Sequence, residues 1–170
     1  IYTALYSSIS LVVIPKYSAY RKGIIPSSEL GSIFFVFFIA SLSLLLLVNF
    51  NSEFIVNLLT ANKNVEVNQV ASSYLTIMAL TFPISTFVGI LNALQAVRGN
   101  VNFTYATPIV NNVFFCIAIV LFYQTLGIYA AVLSGVFSWG CVLYLNLKFE
   151  AVNFKYCLKN IKRLSFNHLD

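Results

Sequence analysis

TFPISTFVGILNALQAVRGNVNFTYATPIVNN, residues Thr81 to Asn112, holds two prolines, two glycines, five asparagines, one glutamine and one arginine. Long apolar runs lie on either side, SIFFVFFIASLSLLLLV at 32–48 and VFFCIAIVLF at 113–122. The stretch decides the fold because Arg98 is the only charge in it. Between Glu66 and Arg98 lie 31 uncharged residues, and between Arg98 and Lys148 lie 49. A helix needs roughly 20 residues to cross a bilayer. The first gap therefore holds one crossing and the second holds two, turning near Tyr123-Gln124-Thr125-Leu126-Gly127.

Working outward, the 23 uncharged residues between Glu29 and Glu53 form another span, and residues 1–15, IYTALYSSISLVVIP, read as the end of one more. The expected spans are about 1–15 (partial), 30–50, 68–97, 104–123 and 127–147. They make an all-α, polytopic transmembrane helix bundle over residues 1–147. The helices are apolar nearly all round, as bilayer spans are. Only 9% of the 170 residues are charged and the mean hydropathy is +0.86. Soluble domains carry about 25% charged residues. The chain opens on Ile1 inside an apolar run, so the natural protein is expected to begin upstream.

Basic residues set the orientation. Lys16, Arg21 and Lys22 follow the first span, Arg98 the third, and Lys148, Lys155, Lys159, Lys162 and Arg163 the last; only Lys63 falls between. The positive-inside rule puts the first, third and last of these segments in the cytoplasm. Lys16, Arg21, Lys22 and Arg98 then sit at the inner interface. The net +5 charge is a topology signal of this kind, and no nucleic-acid partner is expected. Residues 148–170 read as a basic cytoplasmic segment with Phe154, Leu158, Ile161 and Leu164 on one helical face, suited to the inner membrane surface or to connecting a further span.

Small residues mark helix contacts. Ser85, Gly89 and Asn92 share one face, and Ala131, Ser134 or Gly135, Ser138 and Cys141 another. Pro83 stands near the middle of a long helix, where it removes a backbone hydrogen bond and kinks the chain. Pro83, Gly89 and Pro108 are therefore candidate hinge positions. Asn92, Gln95, Asn111 and Asn112 bring amides into the apolar layer. They either bond one helix to another or line a hydrated path for a polar solute.

Enzyme chemistry is not expected. The five acids, Glu29, Glu53, Glu66, Glu150 and Asp170, all lie at span ends or in the tail, and the single His168 has no nucleophile or metal-ligand spacing around it. Cys116, Cys141 and Cys157 make no disulfide framework. No phosphate-cradling glycine loop occurs, and no cofactor or metal is called for.

The order IPKYSAYRKG, a span, a polar loop, then TFP…GILNA…R…ATPIVNN resembles the MviN/MurJ family. These are lipid II flippases of the multidrug/oligosaccharidyl-lipid/polysaccharide exporter superfamily. The resemblance rests on Pro15 with Tyr17, Tyr20, Arg21 and Lys22 after a span, on Phe82, Pro83, Gly89, Leu91 and Asn92 in the fourth span, and on Pro108 and Asn112 in the fifth. It runs along nearly the whole chain as spans two to six. It implies most of one six-helix lobe, paired with another lobe of the same polypeptide around a cationic cavity. The implied activity is alternating access that moves a polyprenyl-diphosphate-linked peptidoglycan precursor across a bacterial inner membrane, with membrane lipids and the lipid-linked glycan as partners. The family's diphosphate-binding arginines belong in its first and just before or early in its second span; none occurs within a span here, so they are expected to lie upstream of Ile1 or to be absent. Flippases of Wzx type for O-antigen or capsule glycans share the expected fold and stay open as an alternative, as does a non-transporting membrane scaffold.

Overall fold

A computed structural model describes residues 2–60, 65–99 and 101–149. Among them every regular element is a helix: α1 (Tyr2–Arg21), α2 (Ser27–Leu59), α3 (Val65–Ala79), α4 (Thr81–Val97), α5 (Val101–Leu126) and α6 (Tyr129–Phe149). Four segments of these described residues are long and apolar enough to cross a membrane: 27–59, 65–97, 104–126 and 129–148. Helices α3 and α4 share one of them. The basic tail, Lys63 and Cys157 lie outside the described residues.

Short turns make successive spans antiparallel. At the Arg98-Gly99 and Gly127 turns the glycines take φ of +85° and +55°, a region that side-chain-bearing residues avoid. Helices α1, α4 and α6 thus run one way and α2 and α5 the other. The C-terminal ends of α1 and α4 meet, as the bond from Arg21 to the Val97 carbonyl requires.

Helix α4 is the hub and packs against each of the other five helices. Ser85, Thr86 and every residue from Val88 to Gln95 are buried, so the helix is enclosed on all sides. Over half of the most apolar window of the α3–α4 span is buried (56%), against 6% for α5. A span that meets protein all round no longer has to be apolar all round. That is why the polar residues of the opening stretch concentrate here. On the α1 side, Ile9, Val13 and Tyr17 pack with Ile90, Ala93 and Leu94 of α4 and Leu30 of α2.

Several boundaries differ from expectation. Helix α1 does not end at Pro15 but runs six residues further, to Arg21. Pro15 forgoes one backbone bond, and the burial of Tyr17 against α4 holds the extra turns. Helix α2 continues past Glu53 to Leu59 and bends at Asn51, whose φ of −119° and ψ of 17° leave the helical region. The Asn51 amide nitrogen donates to the Leu47 carbonyl at 2.9 Å, and such back-bonding bends helices. Pro108 lies within α5 without interrupting it. The buried residues of α6 are Ala130, Ser134, Ser138, Val142 and Asn146, on a four-residue repeat, together with Val132, while Ala131 is exposed.

The α3–α4 junction shows the physics of a proline in a span. Pro83 has no N–H for the carbonyl four residues back, at Ala79, and the regular hydrogen bonding is interrupted at Leu80, which keeps right-handed helical angles (φ −59°, ψ −21°). Hydroxyls bond neighbouring carbonyls around the junction, at Met78 and Phe82. The Thr81 hydroxyl donates to Met78 O at 2.6 Å, and those of Ser85 and Thr86 donate to Phe82 O at 3.0 and 2.8 Å.

The orientation has a direct check in a chain whose native cysteines are replaced by alanine. A cysteine at the exposed Val67 should react with a membrane-impermeant maleimide in intact cells, and one at Lys22 only after permeabilisation. The reverse pattern would overturn the orientation.

Candidate functional site

The interior amides lie where α4, α5 and α6 meet. Asn92 is 1% exposed. Its side-chain oxygen accepts from the Thr107 hydroxyl at 3.3 Å, and its backbone carbonyl accepts from the Thr104 hydroxyl at 3.3 Å. One turn on, Gln95 is buried too, but its Oε1 accepts no hydrogen bond from the described residues. The same holds for Asn111 Oδ1, Asn146 Oδ1 and the Ser134 hydroxyl. The Asn146 amide nitrogen is spent on the Val142 carbonyl at 3.0 Å. Four polar oxygens are thus enclosed by three helices with their hydrogen-bonding capacity in hand. Such atoms take water or a polar solute when one arrives.

The candidate amides do not form one surface. Asn92 and Gln95 face the interior of the bundle. Asn111 is half-buried and Asn112 is exposed, because neighbours on a helix point about 100° apart. Pro108 and Asn112, one turn apart, lie together on the open face of α5. Gly89 is buried within α4, between Ser85 and Asn92. Two grooves of about 440 and 400 Å³ lie elsewhere. One is framed by Phe114, Phe137, Gly140, Cys141 and Tyr144 on α5 and α6, the other by Glu66, Val70 and Tyr74 on α3.

The basic residues expected at the inner interface are largely gathered together. Arg98, at the end of α4, reaches the Tyr17 hydroxyl through Nε and a terminal nitrogen at 3.3 and 3.1 Å, with its guanidinium carbon 5.9 Å from the ring centre. Tyr17 in turn stacks on Tyr20, with ring centres 6.0 Å apart. Arg21, at the end of α1, donates to the Val97 carbonyl at 3.1 Å. Each arginine thus ties down the other helix's last turn, where the helix dipole favours a cation. Lys16 pairs with Glu29 and joins the start of α2 to the same cluster. Lys22 is exposed beside it.

Sequence reasoning missed Asn146 and the pairing of Tyr17 with Arg98. Continuing the spacing from Ser134 and Ser138 by two further steps of four lands on Asn146. No local signal foretold the second, which joins positions 81 residues apart.

Two substitutions separate packing from exposure. Asn92→Leu should lower thermal stability in detergent by about 1 kcal/mol, by stranding the Thr107 hydroxyl. Asn112→Leu should leave the melting temperature unchanged. Equal losses from both would mean that Asn112 is also a packing residue.

No curated protein and no solved structure matches the chain. A sequence model described as "Lipid II flippase MurJ" matches residues 6–168, on a bundle with four membrane-capable helical segments and a polar interior. With nearly its whole length matched, the chain belongs to the MurJ family of lipid II flippases.

Proposed function

We propose that this chain forms most of one lobe of a flippase that carries lipid II, a polyprenyl-diphosphate-linked peptidoglycan precursor, from the inner to the outer leaflet of a bacterial inner membrane by alternating access. The observation that carries the reading is the family match along residues 6–168. The interior oxygens of Gln95, Asn111, Ser134 and Asn146 support it, since a transporter of a sugar-bearing cargo needs acceptors for hydroxyls and water inside its bundle. Asn112 adds an exposed amide on α5, suited to a hydrated wall facing another lobe of the same polypeptide. The cargo crosses unaltered, in keeping with carboxylates confined to span ends and the tail.

One observation favours a second cargo. No arginine lies in the middle of any span, and the basic residues of the described helices lie at their inner ends. A flippase for another lipid-linked glycan, of the O-antigen or capsule kind, fits that distribution.

Growth rescue decides between them. The full-length gene is expressed in a bacterium depleted of its own lipid II flippase, with membrane abundance measured alongside. Rescue is the expected result. Failure at normal abundance, with rescue of an O-antigen or capsule flippase mutant instead, would reassign the cargo. In the rescuing strain, Asn112→Leu should slow growth while membrane abundance stays at the level of the parent. A matching fall in abundance would reduce Asn112 to a packing role.

A further inference from the structure

Two interruptions fall on the two legs of one hairpin. Helix α2 bends at Asn51, and the regular hydrogen bonding of the α3–α4 span is interrupted at Leu80. Between them, residues 52–59 of α2 and all of α3 form the outer end of the bundle. Their legs are tied to each other: the Asn68 amide nitrogen donates to Asn57 Oδ1 at 2.7 Å, and the Thr60 hydroxyl donates to Asn68 Oδ1 at 3.1 Å. Counting from the Asn57–Asn68 bond, Asn51 lies level with Tyr74, and Leu80 sits six residues deeper, roughly 9 Å along the axis.

The hairpin is weakly held to everything else. Of α3, only Ser72 and Ala79 are buried, and of residues 52–59 only Val56. Phe54, Leu58, Leu59 and Val65 are at least two-thirds exposed. Sparse burial marks the segments of a protein that open first. Helix α3 reaches past the hairpin chiefly to α6, where the Tyr74 and Tyr129 rings meet edge to face at 4.9 Å.

Helices α1 and α4 are better buried. Helices α1, α4 and the first half of α2 share the Ile9–Val13–Tyr17–Leu30–Ile90–Leu94 core. They are clasped at their ends by Tyr17 with Arg98, by Arg21 with Val97 and by Lys16 with Glu29. A side chain also bonds a backbone carbonyl beside each interruption, the Asn51 amide at Leu47 and the Thr81 hydroxyl at Met78.

We infer that residues 52–59 and α3 swing as one rigid hairpin about paired hinges at Asn51 and Leu80, while α1, α4 and the inner part of α2 stay fixed. The swing makes and breaks the Tyr74–Tyr129 contact. Under the alternating-access reading the hairpin is the outer gate of this lobe, but the motion itself does not depend on what is carried.

Pulsed electron-paramagnetic-resonance distances test it on the full-length protein in lipid nanodiscs, with native cysteines replaced by alanine. Spin labels at Leu11 and Val67 span the hinges; labels at Leu11 and Val36 lie within the fixed part. The first pair should give the broader distance distribution. Asn51→Ala removes the side-chain competitor and Pro83→Ala restores the missing N–H, so the two together should narrow the first distribution to the width of the second. Equal widths before any hinge substitution would overturn the inference, whatever the variants do. A first distribution that stays broad in the well-folded double variant would overturn the hinge assignment. Growth rescue reports separately on the cargo, so either result leaves that question where it stood.

Discussion

Inside a bilayer a polar group finds its partner in the protein or in a water-filled space, because lipid offers none. Everything distinctive about this bundle follows from where that constraint is relaxed. Helix α4 touches all five other helices and can therefore hold Ser85, Thr86, Asn92 and Gln95 in its buried stretch. Helix α5 is almost bare over its most apolar window, so its open face is mostly Ile, Val and Leu. Asn112 interrupts that face, and it is the residue whose surroundings in the complete protein matter most.

The crossings were legible because charge is costly in lipid. Gaps between charged residues fall on the four membrane-capable segments of the described residues. Departures came where tertiary contacts outweigh local signals. Pro15 reads as an end, yet Tyr17 finds a pocket against α4 and the helix goes on. Glu53 reads as the limit of a span. Helix α2 instead continues as the leg of a hairpin, and its 33 residues reach about 50 Å, well past a hydrocarbon layer of about 30 Å.

The candidate site was legible in its residue types and less so in its geometry. Four amides stood out against an apolar background, as either interhelical bonds or the lining of a hydrated path. The helical rotation between Asn111 and Asn112 turns them to different faces, and the contact of α4 with α5 makes Asn92 a partner of Thr107. Asn146 escaped notice because it stands two residues before Lys148, where an amide looks interfacial. Its burial follows from the four-residue repeat of α6 and from α6 lying against α4.

The bond between Arg21 and Val97 joins positions 76 residues apart. Synthesised at about 5–20 residues per second, α1 waits roughly 4–15 s for the helix it packs against. A water-soluble helix showing Ile9, Val13 and Tyr17 for that long would invite aggregation. In a membrane the waiting side chains are at home among acyl chains, and Lys16, Arg21 and Lys22 at its C-terminal end hold α1 at the interface before its partner arrives.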